Sequence, residues 1–230
     1  MRSVLATVIV LCVPVIAAAE EVADLVKQLR QGDVDGRRAA AKSLGEQGAS
    51  AKAAVPALTE AMKDSDSFVR RFAAQALGEI GPSAKSAGPV LSAILRDGKD
   101  KKEVLDAAAA ALGKIGAGSS SLNALTLTLR DSSRDVEVRR QAAEALGKMG
   151  AEAKQAIPTL VDVLKPAKGP APAGDLRAEI ATALGEIASP NDKPAVDVLT
   201  ALSTDRGLRR DRTLMKAVND ALKKIQSKKT

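Results

Sequence analysis

The sequence predicts an all-α fold in which helical hairpins stack side by side into a superhelix. Three observations predict it. A Leu-Gly motif recurs along the chain, an alanine-rich stretch with helical periodicity precedes each copy, and aromatic residues make up only 1% of the 230 residues. The motif leucines are 33 to 38 residues apart. Self-similarity at such a period is typical of stacked helical repeats.

The first nineteen residues have the layout of a secretory signal. Arg2 is followed by an uncharged apolar run from Val4 to Ala19, which ends in three alanines. As a helix, this run of sixteen residues would be about 24 Å long, shorter than the roughly 30 Å core of a bilayer. We therefore expect cleavage after Ala19 and no membrane span in the mature chain; a retained anchor is the alternative.

Cleavage would also remove Cys12, the one cysteine of the chain. A mature protein without thiols has no disulfide framework and suits an oxidising compartment. The sequence thus predicts a periplasmic or secreted protein of a bacterial envelope, whose stability comes from packing alone.

After the leader, one unit recurs six times. The repeated units cover about residues 22–53, 54–86, 87–120, 121–155, 156–192 and 193–226. Their anchor leucines are Leu44, Leu77, Leu112, Leu146, Leu184 and Leu222. Glycine follows the first five leucines, but Lys223 follows the sixth. Because terminal repeats are usually atypical, we interpret the sixth unit as a C-terminal cap.

Each unit is predicted to contain two helices joined by an Asp-containing turn. Pro56, Pro89 and Pro158 mark the start of three first helices, where a missing N–H costs nothing. The turns supply aspartates that cap the second helices. Left-handed glycines are expected to end four of the second helices. These glycines are Gly48, Gly81, Gly116 and Gly150.

The composition excludes several classes of function. The chain has no His, Trp or Tyr and only two Phe, so histidine triads, histidine-containing zinc sites and most base-stacking modes are excluded. It contains no Gly-rich phosphate loop, nucleophile elbow or metal-ligand spacing. We therefore predict a non-enzymatic protein with no catalytic residue, cofactor or metal. Nucleic acid is a disfavoured partner.

The motif VRxxAAxALGxIG over residues 69–81, preceded by an Asp-containing turn, resembles a HEAT repeat. It is most similar to the bacterial HEAT-like form that also occurs in phycobilisome lyases. The resemblance covers residues 22–226 and implies a right-handed α-α superhelix, or α-solenoid. Its second helices would line a concave face that binds a partner protein. The same resemblance permits a bilin-lyase-like enzyme or accessory subunit, against which the leader and the missing His, Cys and aromatic residues argue.

In HEAT-like proteins a recurrent arginine of the second helix bonds the Asp-containing turns of its own and the neighbouring unit. The resemblance therefore implies a structural ladder. Its arginines are Arg37, Arg70, Arg139 and Arg177. Leu105 stands at this position in the third unit.

Three further rows on the second helices would be exposed on the concave face. Our candidate partner-binding residues come from these rows. They are Arg38, Arg71, Arg140, Lys42, Gln75, Glu144, Lys114 and Lys148. The third unit contributes Asp106 and Ala110 instead. The alternative is a solvated face held by local ion pairs.

The last 25 residues carry the whole net charge of +7, with nine Lys or Arg against two Asp. The candidate basic end comprises Arg206, Arg209, Arg210 and Arg212. Such a cluster would bind an anionic envelope surface; a cap that only increases solubility explains it equally well.

Overall fold

The computed structural model describes residues 19–116, 118–165 and 173–228. The predicted leader, except Ala19, lies outside the described residues. Within these ranges the chain forms α-helices and short 3₁₀ segments, without a β-strand. The predicted all-α superhelix of stacked hairpins is confirmed.

The helices alternate between two layers. The first helices of the hairpins are α1 (19–31), α3 (Val55–Ala61), α5 (Gly88–Asp97), α7 (Ser119–Arg130), α9 (Ile157–Leu164) and α11 (Lys193–Thr204). The second helices are α2 (Val34–Glu46), α4 (Ser67–Ile80), α6 (Lys102–Ile115), α8 (Val136–Met149), α10 (Gly174–Ile187) and α12 (Arg212–Ser227). We number the hairpins 1 to 6 in chain order, from α1–α2 to α11–α12.

Each second helix packs directly against the next one, from α2 to α12. The surface that the exposed residues of these helices form is called the inner face below. The first helices form the outer layer, in which α5, α7, α9 and α11 make successive contacts. Three of the links between hairpins are 3₁₀ segments of seven residues. These are Gly48–Ala54, Gly81–Ala87 and Gly150–Ala156.

The glycine of the Leu-Gly motif is the contact point between neighbouring second helices. A Cβ on Gly113 would lie 2.7 Å from the Cα of Ala145, and one on Gly185 would lie 2.8 Å from the Cα of Ala221. Since no real Cβ approaches backbone so closely, only glycine permits this helix spacing. The same contact recurs in Gly45–Ala76, Gly78–Ala111 and Gly147–Ala183.

The position of the sixth hairpin explains why it lacks the glycine of the motif. No second helix follows α12 in the described part of the chain, so nothing packs where the glycine would be needed. Lys223 is exposed at that position. The first five anchor leucines are completely buried in one continuous core, where each contributes about 2 kcal/mol.

The turns follow the predicted chemistry, with one correction. Asp33, Asp66 and Asp135 accept backbone N–H bonds at the start of α2, α4 and α8. All four predicted glycines have positive φ. However, Gly81 and Gly150 have ψ −138° and −129° and are not left-handed helical, because the chain turns there into 3₁₀ segments. Gly48 begins a 3₁₀ segment after the cap residue Gln47, and Gly116 is the left-handed cap of its helix.

Candidate functional site

The arginine ladder is complete between hairpins 1, 2 and 3. Arg37 donates from Nε and Nη2 to the two oxygens of Asp64, at 2.6 and 3.0 Å, and from Nη1 to the carbonyl of Gly32. Arg70 donates in the same way to the two carboxylate oxygens of Asp100, and its Nη1 donates to the carbonyl of Asp64. Each arginine therefore joins its own turn to the next.

These contacts hold the ladder aspartates in the charged form. The hydrogen bond from Arg37 lowers the pKa of Asp64, although burial opposes this shift. Burial alone would raise the pKa of Asp100, but the bonds from Arg70 and the N–H of Lys101 bring it below its usual value. Both ion pairs are largely buried, with side chains 11–19% exposed.

The ladder changes from hairpin 3 onward. Leu105 is buried, and no carboxylate-binding arginine stands there. Arg134, in the turn of hairpin 4, reaches back instead and donates to the carbonyls of Leu95 and Arg96 at 2.6 and 2.9 Å. Arg139 donates to the carbonyl of Leu129, and the Nε of Arg177 is buried without a partner among the described residues.

The sequence did not indicate a role for Arg134, which appears there as one more polar residue of a turn. Its guanidinium lies against Gly98, which has φ +66°. A Cβ on Gly98 would lie 2.6 Å from both Nη atoms of Arg134. The glycine and the arginine together close the end of α5.

Most of the candidate partner-binding residues are engaged in local ion pairs. Arg38 binds Asp66 through Nε and Nη2, at 2.9 and 2.7 Å, and Arg140 donates from Nε to Glu137 at 3.0 Å. Further pairs of the inner face include Lys42–Glu46, Lys114–Glu79, Lys148–Glu144 and Lys224–Glu186.

Arg71 differs from its row neighbours Arg38 and Arg140. Its guanidinium carbon lies 5.3 Å from the ring centre of Phe68 and 4.7 Å from that of Phe72, within cation–π distance. Its Nε is buried without an acceptor in the described structure. Both aromatic residues of the chain thus lie under Arg71, and Phe68 also lies under Arg38, 4.9 Å from its guanidinium carbon. The sequence alone did not indicate this arrangement.

An open groove of about 830 Å³ crosses the inner face beside Arg71. Residues from α2, α4 and α6 line it, with Gln141 of α8 at its end. Its floor consists of small residues. These include Gly45, Ala76, Gly78, Ala107, Ala110 and Ala111. We call this feature the central groove.

The central groove exists because hairpin 3 departs from the repeat pattern. Ala110 stands where hairpins 1, 2 and 4 have Lys42, Gln75 and Glu144, so no long side chain crosses the floor there. Asp106 stands where those hairpins have an arginine.

Asp106 is the perturbed acid of the central groove. Its Oδ1 is buried and has no hydrogen-bond partner in the part of the chain that the structure describes. Burial, opposed by Lys102 and assisted by Glu137, raises the pKa of Asp106 to about 6. Desolvation favours the neutral form, and no arginine stabilises the carboxylate.

A second, smaller groove of about 500 Å³ lies between α8, α10 and α12. Its charged lining residues are Glu137, Arg140, Asp175, Glu179, Lys216 and Asp220. Burial raises the pKa of Glu179, and the neighbouring Glu144 adds to this shift. Arg140 lies 3.5 Å from Glu179 and donates to Glu137, so these three lining residues are already paired with one another.

The four arginines of the basic end lie together between α11 and α12. Arg206 belongs to a 3₁₀ turn, Arg209 and Arg210 follow it, and Arg212 begins α12. All four side chains are exposed. Cations at a helix N-terminus oppose its dipole, so this placement does not favour α12.

The described ranges contain no group of three or more acidic or cysteine side chains arranged to hold a metal ion. No helix described is both long and apolar enough to cross a membrane.

The stacked hairpins, the ladder and the inner groove define an α-solenoid of the repeat-protein class. A family model for HEAT repeats matches residues 22–113, 88–170 and 122–218. The chain therefore belongs to the HEAT-repeat family, as its motif predicted. The match does not distinguish the phycobilisome-lyase form.

Solved structures with the same architecture include designed and natural proteins. An engineered protein from the Northeast Structural Genomics Consortium is 28% identical, with 90% of this chain and 97% of that chain covered and a TM-score of 0.64. The designed armadillo repeat protein YIII(Dq)4CqI is 21% identical, with coverages of 88% and 98% and a TM-score of 0.60.

Importin beta shares 19% identity over 93% of this chain and 33% of its own, with a TM-score of 0.62. At identities near 20%, these last two similarities establish the fold alone. No curated protein matches the chain.

Proposed function

We propose that this protein is an exported, non-enzymatic scaffold that binds a segment of a partner protein in the central groove. The HEAT-repeat fold fits a role in protein interaction. One observation carries the finer proposal: Arg71 and Asp106 line the same groove, and each has a buried polar atom without a partner among the described residues.

The floor of the groove suits a polypeptide main chain. Alanine and glycine side chains end close to the helix backbone, so an extended chain can lie near the inner helices across hairpins 1, 2 and 3. Exposed groups such as Gln75, which can both donate and accept, are available to a peptide bond. A groove of this size is also within the range of ligand sites.

The energetic basis of binding lies in the unsatisfied groups. A buried donor or acceptor without a partner destabilises a protein by about 1–3 kcal/mol. A partner that supplies the missing contacts recovers part of this free energy. Arginine and phenylalanine are both enriched at protein interfaces, and Arg71 lies beside Phe72 and the 48% exposed Phe68.

Blocking the groove tests this proposal. A random peptide display library selected on the full chain should yield binders to the wild type but not to Ala110→Trp, whose indole would fill the floor. Ala201→Trp is the matched control, since Ala201 is exposed on the outer helix α11. Binders that tolerate Ala110→Trp as well as they tolerate Ala201→Trp would contradict the proposal.

Export is tested separately. Protein recovered from the periplasm or medium of a bacterial host should begin at Glu20. An N-terminal sequence that starts at Met1 would contradict the cleaved leader.

The basic end supports a second candidate function, attachment to an anionic envelope surface. The observation that favours it is the exposure of four arginines at a helix N-terminus, where they do not serve the fold. Replacing Arg206, Arg209, Arg210 and Arg212 by Ser should abolish binding to vesicles rich in phosphatidylglycerol. A variant with equal loss of charge at four exposed lysines should retain it. Those lysines are Lys27, Lys52, Lys63 and Lys85.

The enzymatic alternative has its own test. A shift in the absorption spectrum of a bilin on mixing with the protein, followed by covalent transfer to a phycobiliprotein subunit, would contradict a non-enzymatic scaffold.

A further inference from the structure

We infer that the central groove recognises an extended peptide with two opposite charges: an acidic side chain that binds Arg71, and a basic side chain two or three residues away that binds Asp106 and Glu103. This inference rests on the proposed function and names the chemistry of the bound segment.

The arginines of this protein show how Arg71 would bind an acid. Arg37, Arg38, Arg70 and Arg140 each donate from Nε and Nη2 to the two oxygens of one carboxylate. Paired donation from this edge is the geometry that guanidinium groups prefer. In Arg71 the Nε makes no such bond to any described residue.

The Arg71 guanidinium lies over Phe72, which lines the groove with it, and over Phe68, which Arg38 shares. A carboxylate that enters the groove would draw this side chain outward, because the unpaired Nε gains an acceptor. The rings remain as an apolar surface beside the new ion pair, where the lower local dielectric strengthens it.

The neighbouring helix α6 presents the opposite charge. Asp106 and Glu103 lie one turn apart, and both line the groove. Lys102, the adjacent cation in sequence, bonds Asp135 at 3.2 Å instead. The carboxylates of α6 are therefore available to a basic side chain of a ligand.

The helix spacing sets the spacing of the two ligand charges. Arg71 and Asp106 occupy equivalent positions in α4 and α6, which pack through the Gly78–Ala111 contact. Helices in such contact lie about 8–10 Å apart. An extended chain rises about 3.3 Å per residue, so two or three residues separate the side chains that reach these helices.

The mixed charge of the lining argues against a purely anionic or purely cationic ligand. Lys42, Arg71 and Lys114 face Glu46, Glu79, Glu103 and Asp106 in one groove. Lys42 and Lys114 are already paired with Glu46 and Glu79. Of the charged side chains in this lining, Arg71, Glu103 and Asp106 have no ion-pair partner among the described residues, so they are the ones that would select a ligand.

Charge reversal tests the inference. A random heptapeptide display library is selected in parallel on the full-length wild type, Arg71→Glu, Asp106→Lys and the control Arg130→Glu, at an exposed arginine of the outer helix α7. We expect the wild type and the control to enrich peptides with an acidic and a basic residue two or three positions apart. Arg71→Glu should lose the acidic preference alone, and Asp106→Lys the basic preference alone.

The affinity of a synthetic peptide from the wild-type selection is then measured for each variant. Arg71→Ala should weaken its binding about tenfold or more, and replacement of its acidic residue by the amide should have little further effect on that variant. Thermal unfolding of each variant by circular dichroism shows whether the fold is kept, and Arg71→Gln replaces any variant that unfolds.

The outcomes separate the two proposals. Enriched peptides that require an open groove but lack the charge pair, or that are unchanged by Arg71→Glu, would overturn this inference and leave the proposed function standing. No enrichment on the wild type over Ala110→Trp would overturn both.

Discussion

The ladder arginines of hairpins 1 and 2 are paired with the following turn, whereas hairpin 3 has no arginine at the ladder position or at the position after it. In the first pair, Arg37, Arg38 and Arg70 all bind aspartates of the following turn. In hairpin 3 the corresponding positions carry Leu105 and Asp106, neither of which binds a following turn. The three hairpins thus share one backbone architecture, although their charged side chains are paired in different ways.

In a repeat protein, the residues that stabilise the fold and the residues that recognise a partner can therefore be different ones. Residues that follow the repeat pattern hold neighbouring hairpins together. Residues that break it, such as Asp106 and Ala110, leave a groove and an unpaired carboxylate on the inner face. Arg134 compensates for the missing ladder arginine through backbone carbonyls, so the fold persists where the pattern fails.

The largest expected effect comes from breaking the complete part of the ladder. Arg70→Leu leaves Asp100 largely buried without its partner, and loss of one member of such a pair destabilises a protein by about 3 kcal/mol. Urea unfolding at pH 7 measures the change. Arg130→Leu, at an exposed arginine, is the control and should change the free energy of unfolding by less than about 0.5 kcal/mol.

The same ladder gives a pH dependence. Because Asp64 and Asp100 have lowered pKa values in the folded protein, their stabilisation is complete above the usual aspartate pKa of about 4. It is lost as the pH falls through the lowered values. The difference between wild type and Arg70→Leu should therefore shrink as the pH falls from 5 to 2, and a constant difference would contradict the ladder.

A smaller loss is expected from the compensating arginine. Arg134→Ala removes two bonds to carbonyls at the end of α5, which we expect to destabilise the protein by about 2 kcal/mol. Hydrogen exchange should show the loss in 88–97 rather than across the whole chain. Uniform faster exchange, or none, would mean that Arg134 does not replace the ladder in hairpin 3.

The smallest effect has the opposite sign. Asp106 has a folded pKa of about 6, above its unfolded value, so its contribution to stability falls as the pH rises from about 4 to 6. Asp106→Asn should therefore stabilise the protein at pH 7.5, by about 1 kcal/mol after allowance for solvent screening. The gain should vanish at pH 4. A loss of stability at pH 7.5 would show that the carboxylate serves the fold.

The sequence predicted the fold well because the period, the alanine stripe and the Leu-Gly motif are local features. Arg37 and Arg70 were expected in the ladder through the family resemblance, and the structure places both on aspartates. The pairing of Arg38 with Asp66 and the reach of Arg134 depend on where separate turns meet in space, which residue spacing does not determine.

The central groove could have been predicted in part. Asp106 and Ala110 were visible as departures in otherwise polar rows, and the only two aromatic residues flank Arg71 at helical spacing. The sequence could not show which of these charged side chains have a hydrogen-bonding partner. It takes the three-dimensional structure to show that Arg38 and Arg140 are paired while Arg71 and Asp106 are not.

Hairpin 3 lacks internal pairing at the positions where, in our account, the partner is recognised. Restoring the pattern with Asp106→Arg and Ala110→Gln in one variant tests this account, with urea unfolding and peptide binding measured on the same preparation. Our account predicts a variant at least as stable as the wild type that no longer binds peptides selected on the wild type. A variant that binds them unchanged, or that loses stability, would contradict it.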